Sequence, residues 1–203
     1  MTLDSKITNI FIRLNGRHRN ARIYKINRRG ATIPMARIPY IDYSALDEKT
    51  RDYFSKLPRL NLFRMLGHGG RLGLAVVKLG SGILRKGTVS PDLREMAIIR
   101  TGILCGSKYE VHQHYKIARL IKMPEEKIEA LSAGSGSPVF SDLERLVVRF
   151  TEELVSKVRA SDDTFDALKE HFTSGQLVEL TITVGYYMMM SRFIETFDID
   201  IEA

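Results

Sequence analysis

Apolar residues recur at helical spacing through most of the chain beyond residue 40, and no convincing two-residue alternation stands against them. The densest stretch is 90–122. Ser90-Pro91-Asp92 predicts a helix start: a hydroxyl to cap, proline in the first turn, and an acid near the positive end of the dipole. That helix should run to about Cys105. Leu93, Met96, Ala97 and Leu104 share one face, and Glu95, Ile98, Ile99 and Gly102 share the next. A helix apolar on most sides belongs at the centre of a fold. Gly106 breaks it, and a second helix is predicted from about Lys108. On that helix His114 shares its side with Ile117, Ala118 and Ile121 and should point inward. His112 shares its side with Lys108, Lys116 and Arg119 and should face water.

The rest of the pattern is helical too. A short helix is predicted from about Asp47 to Leu57, closed by Pro58. Residues 60–86 read as helical with a turn at Gly67, Gly69 and Gly70, and His68 sits in that turn. Met123-Pro124-Glu125-Glu126 opens a short helix to Leu131. Residues 132–138, SAGSGSP, read as a flexible link. Ser141-x-x-Glu144 is a capping box opening a helix to about Val158. Ser161 caps another over about 163–172. Thr173-x-x-Gln176 is a second box, opening a long apolar helix from 176 to about 196. Three adjacent methionines, Met188 to Met190, cover three directions of that helix, which fits a core or a subunit interface. No fixed-period repeat occurs, and Gly67-x-Gly69-Gly70 lacks the Lys-Ser/Thr and the preceding strand of a phosphate loop. The fold class is all-α.

At 203 residues the chain has room for one domain of about 150–170 residues plus an extension. Charge divides it in the same way. Residues 1–34 hold eight Lys and Arg against one acid, and they carry the whole net charge of +7. The remaining 23 bases and 23 acids cancel. The basicity therefore belongs to an arm, residues 1–34, and the domain, residues 35–203, shows no basic face with interleaved aromatics. Nucleic acid is not an expected partner. Three readings of the arm stand side by side: a loosely ordered extension upstream of a natural start at Met35, an Arg-rich, acid-poor organelle transit peptide, and an arm that binds anions or a partner chain. The apolar runs at 74–84 and 182–190 are interrupted by Lys78 or end at Arg192, so no membrane span is expected. A single cysteine, Cys105, leaves no intramolecular disulfide and fits a reducing compartment. The expected location is the cytoplasm, or an organelle matrix if the arm is a transit peptide.

The candidate chemistry lies in the central hairpin. Glu95 is a carboxylate set among aliphatic residues, and such groups are rarely buried without a partner or a task. Glu110 and His114 lie four residues apart on one helix. Two carboxylates and an imidazole in an apolar hollow form an acid–base set: desolvation and mutual repulsion raise one carboxyl pKa, and the imidazole passes a proton near neutral pH. This suits lactone, enol and decarboxylation chemistry and requires no cofactor. A buried Glu–His pair that only ties two helices together reads the same in sequence. So does a metal site, since Glu110 and His114 have ligand spacing and Glu95 could be a third ligand. Tyr109 could donate to a developing oxyanion, Arg100 or Arg192 could hold a substrate carboxylate, and His68 could line a pocket wall.

Glu95, twelve residues on Ser107, then Ser107-x-x-Glu110-x-x-x-His114, resembles the carboxymuconolactone decarboxylase / alkylhydroperoxidase D family over roughly residues 36–203. Redox members place glutamate where Glu95 stands, CxxC where Ser107 and Glu110 stand, and histidine where His114 stands. Neither cysteine position holds cysteine here, and Cys105 lies two residues early, so the chain resembles the non-redox branch. The resemblance implies the helical alkylhydroperoxidase D-like fold, usually assembled as a homo-oligomer (dimer, trimer or hexamer), and a metal-free site. It implies an enzyme resembling carboxymuconolactone decarboxylase, of lyase or isomerase type, acting on a small carboxylated lactone or a related compound. Glu95, Glu110 and His114 would be the acid–base residues, with Ser107, Tyr109, His68 and Arg192 toward substrate. Two other readings remain: an alkylhydroperoxidase-type peroxidase using Cys105, which has no second thiol to resolve it, and a non-catalytic oligomeric module served by its basic arm.

Overall fold

The computed structural model describes residues 36–202, together with the backbone of three strands upstream: β1 (Ile10–Leu14), β2 (Ala21–Ile26) and β3 (Thr32–Pro34). The strands form one antiparallel sheet in the order β1-β2-β3, with Ile12 opposite Ile23 and Lys25 opposite Ile33. The rest of the predicted extension, and the side chains that carry its charge, lie outside the described residues.

From residue 36 onward the described chain is helical, as the spacing predicts. The nine α-helices among the described residues are α1 (Glu48–Ser55), α2 (Asn61–Leu66), α3 (Gly70–Lys86), α4 (Pro91–Leu104), α5 (Lys108–Leu120), α6 (Glu125–Ala130), α7 (Asp142–Lys157), α8 (Asp162–Lys169) and α9 (Ser174–Phe197). None of them is long and apolar enough to cross a membrane.

Contacts divide the chain into two compact units, Met1–Leu74 with Thr196–Ala203, and Ala75–Glu195. In the first, the C-terminal residues are tied to the segment that begins at Ala36. Arg37 N donates to Phe197 O at 2.9 Å, Tyr40 OH donates to Asp200 Oδ2 at 3.1 Å, and Asn61 Nδ2 donates to Asp200 O at 3.0 Å. α1 starts where Asp47 accepts the Thr50 amide. His68 Nε2 lies 2.8 Å from the Pro39 carbonyl and so donates to it.

In the second unit, α4 is the buried element. Met96, Ala97, Ile98 and Ile99 have no exposed surface, and Leu93 is 7% exposed. Aliphatic residues on neighbouring faces leave such a helix no solvated side, so α5 and α7 pack on it. Its last turn is an exception: Leu104, assigned to a buried face by spacing, is 38% exposed. The chain leaves the helix there, so no neighbour covers that position.

Gly106 turns the chain at φ +71°. Its amide reaches Ile103 O and the Ser107 amide reaches Gly102 O, which closes the helix with the reciprocal bonds of a Schellman motif and starts α5 one residue later. α5 ends the same way, with Lys122 at φ +65° in the position glycine usually takes.

Both predicted capping boxes are present. Ser141 N donates to Glu144 Oε2 and the Glu144 amide to Ser141 Oγ; Thr173 N donates to Gln176 Oε1 and the Gln176 amide to Thr173 Oγ1. Ser90 stands at the cap of α4, but its hydroxyl makes no capping bond. The link at 132–138, read as flexible, is pinned. Arg100 donates to Leu131 O and Ser132 O, and Glu152 accepts from Ser135 N and Oγ and from Arg100. Those ties cross 17 to 32 residues of sequence, a range that local composition does not show.

Candidate active site

The Gly106 turn folds α5 back along α4 and brings three titratable side chains together. His114 Nδ1 lies 2.7 Å from Glu95 Oε2, and His114 Nε2 lies 3.4 Å from Glu110 Oε2. The first is a short charge-assisted hydrogen bond. The second lies at the far edge of bonding distance and acts chiefly through charge. Glu95 is 1%, Glu110 3% and His114 5% exposed. α9 supplies the wall, where the Tyr187 ring meets the imidazole edge-on at 4.8 Å between centroids and an angle of 88°. Tyr186 stands edge-on to Tyr187 and donates to Val76 O at 3.2 Å.

Burial fixes the electrostatics. It pushes the Glu110 carboxyl above the usual carboxylate range; the His114 charge opposes this and the Glu95 charge adds to it. Burial pulls His114 down, but the hydrogen bond and charge of Glu95, with the charge of Glu110, outweigh it and hold the imidazole above its ordinary value. Tyr187 is pushed well up by burial and then by the two carboxylates, so its hydroxyl keeps its proton. With Nδ1–H held by Glu95, one proton can sit on Glu110 or on Nε2. That is the minimum apparatus for moving a proton to or from a reacting atom.

Several buried polar atoms nearby have no partner among the described residues: Glu95 Oε1, Ser107 Oγ, Ser191 Oγ and Arg94 Nε. Ser107 stands at the cap of α5 without making a side-chain capping bond. Tyr109 is buried at 2% exposure. Arg192 is exposed, donates to Met188 O at 2.8 Å and reaches the half-buried Cys105 Sγ at 4.0 Å. Arg100 is committed to Glu152 and to the 132–138 link, which leaves it no free face for a carboxylate. His68 is held by Pro39 in the first unit. His112, read as water-facing, is half-buried. Cavities of about 580 Å³ and 370 Å³ open in the first and second units. Neither is lined by Glu95, Glu110 or His114. Among the described residues no group of three or more His, Cys, Asp or Glu has the arrangement to hold a metal ion.

Spacing did not single out Arg94 or Tyr187. Arg94 adjoins Glu95 on a helix with no solvated face, and a charge at such a position is the signal that could have marked it.

Fold and site together define a helical domain organised around a buried Glu–His–Glu set. Residues 71–153 match the carboxymuconolactone decarboxylase family. The resemblance carried by the Glu/Glu/His spacing is thereby shown over that segment. No curated protein matches the chain. Solved structures share its fold. An alkylhydroperoxidase AhpD core protein, peroxidase-related, from Ralstonia eutropha JMP134 aligns with a TM-score of 0.74 at 18% identity, over 84% of this chain and 94% of that one. A peroxidase-related protein from Silicibacter sp. TM1040 aligns at 0.70 and 16% identity, over 81% and 90%. A variant of the debrominase Bmp8 in complex with 2,3,4-tribromopyrrole aligns at 0.67 and 18% identity, over 81% and 90%.

Proposed function

We propose that the chain is a cofactor-free acid–base enzyme resembling carboxymuconolactone decarboxylase, acting on a small carboxylated lactone or a related compound. The observation that carries this reading is the placement of His114 between two buried carboxylates, 2.7 Å from Glu95 and 3.4 Å from Glu110. The family match at 71–153 supports it.

Glu95 fixes the ring and its tautomer through Nδ1 and balances the charge when the imidazole is protonated. Glu110, which burial favours in its neutral form, lends a proton to Nε2 or takes one back. In a decarboxylation the C–C bond to the carboxylate breaks and carbon dioxide leaves. The electron pair moves into the conjugated lactone carbonyl, and His114 returns a proton to carbon. In an isomerisation the same atoms remove a proton beside the carbonyl and replace it elsewhere.

A panel of carboxylated lactones tests the reading, followed by carbon dioxide release and by exchange of ring protons for deuterium. Glu95→Gln and His114→Gln should each lower turnover by roughly 10²–10⁴-fold, while Cys105→Ser leaves it unchanged. Full turnover in both site variants removes the proposal.

One contact favours a second reading. Cys105 Sγ lies within 4.0 Å of the Arg192 guanidinium, two residues before Ser107. A thiol peroxidase would oxidise this sulfur to a sulfenic acid with a peroxide, which is reduced to water or alcohol. As the only cysteine of the chain, it would need an external thiol to restore it. Peroxide consumption in the presence of a thiol, lost in Cys105→Ser and kept in Glu95→Gln, would select this reading over the first.

A further inference from the structure

Arg94 precedes Glu95 on α4 and is 7% exposed. Its one side-chain hydrogen bond among the described residues is long, from Nη1 to Val89 O at 3.4 Å, and its Nε has no partner. No ion pair answers its charge there. Glu179 feels that charge, but its two oxygens already accept from the Thr88 and Val89 amides and the Thr88 hydroxyl. A guanidinium cannot discharge itself by losing a proton, and a buried charge left without a counter-charge is costly. A carboxylate would answer such a group, because its two oxygens match the planar fork of the guanidinium. Arg94 directly precedes Glu95 in the buried stretch of α4. The adjacent residue offers the complement: Glu95 Oε1 is a buried acceptor without a donor.

We propose that Arg94 anchors a carboxylate of the substrate, holding it in a two-pronged contact while the reacting end of the same molecule meets Glu95 and His114. This rests on the acid–base reading above and assigns to Arg94 the carboxylate that such a substrate carries. Neutral lactones, amides and esters of similar size should be excluded, because nothing they carry answers the Arg94 charge. Arg94 is thus a specificity-determining residue.

The test separates the anchor from the chemistry. Thermal unfolding of the full chain is followed at constant ionic strength against malonate and against malonamide, its uncharged counterpart. Malonate should raise the melting temperature of the wild-type protein saturably, and malonamide should not. Glu95→Gln should keep the malonate response, since it disables proton transfer and leaves the guanidinium in place. Arg94→Met should abolish it. Should Arg94→Met not fold, Arg94→Lys carries the test: a point charge without the planar fork should weaken malonate binding by about tenfold. A wild-type protein that ignores malonate overturns the proposal, and so does an unchanged response in whichever Arg94 variant folds. A loss of response in Glu95→Gln as large as that in Arg94→Met also overturns it. If instead Glu95→Gln turns over lactones normally while the malonate pattern holds, the acid–base reading falls and the anchor stands.

Discussion

His114 lies between two carboxylates, and the two contacts are unequal. At 2.7 Å Glu95 is an orienting partner, whereas at 3.4 Å Glu110 is a neighbour that acts chiefly through its charge. That asymmetry gives the imidazole one fixed nitrogen and one working nitrogen. The meeting of the three side chains could be read from spacing, because i, i+4 neighbours on α5 and an inward face on α4 leave few other arrangements across a short turn. Arg94 could not be read that way. Periodicity gives the direction in which a side chain leaves its helix, but not whether another helix covers it. The half-burial of His112 and the exposure of Leu104 have the same origin.

At the level of elements, the helix boundaries followed chemistry that is written locally. Ser141/Glu144 and Thr173/Gln176 satisfy the first amides of α7 and α9, and Gly106 and Lys122 end α4 and α5 in left-handed turns. The segment at 132–138 was illegible because its order comes from Arg100 and Glu152, which approach from distant parts of the chain. Gly134 is the critical position in it. Its φ is +82°, and a Cβ there would fall against Glu152 Oε1 and within 2.5 Å of Arg100 Nη2. Gly134→Ala should therefore destabilise the protein by about 2 kcal/mol or more, since the left-handed conformation alone costs about 1–2 kcal/mol. Denaturant unfolding checks this. A midpoint equal to that of the wild-type protein would show that the link is not held as described.

Across the whole molecule, two sets of groups bend stability with pH in opposite directions. In Glu144, Glu153 and Glu179 burial raises the carboxyl pKa, but hydrogen bonds from Lys127 and Ser141, from Ser161, and from Thr88 and Val89 outweigh it, so all three are held below the ordinary value of 4.5. Their contribution is present above 4.5 and lost as pH falls. Glu110 and His114 are held above their ordinary values of 4.5 and 6.5. The folded chain then binds more protons than the unfolded one as pH rises past those values, so stability falls with rising pH. The melting temperature should decline from mildly acid to mildly alkaline pH, and Glu110→Gln, which cannot ionise, should flatten that decline. An identical slope in the variant would contradict the assignment. Composition places the whole net charge of +7 in residues 1–34. It did not foreshadow the antiparallel pairing of Ile10–Leu14, Ala21–Ile26 and Thr32–Pro34, because the short strands lack a clear alternation of apolar and polar residues.

The most direct measurement is the titration of the His114 ring nitrogens by NMR in the wild-type protein and in Glu95→Gln. A proton held between Glu95, His114 and Glu110 requires a midpoint above the ordinary imidazole value of 6.5, with Nδ1 keeping its proton in the neutral form, and a lower midpoint once the Glu95 charge is removed. A midpoint at or below that value, indifferent to Glu95→Gln, would show that the three side chains do not act as one proton-handling unit.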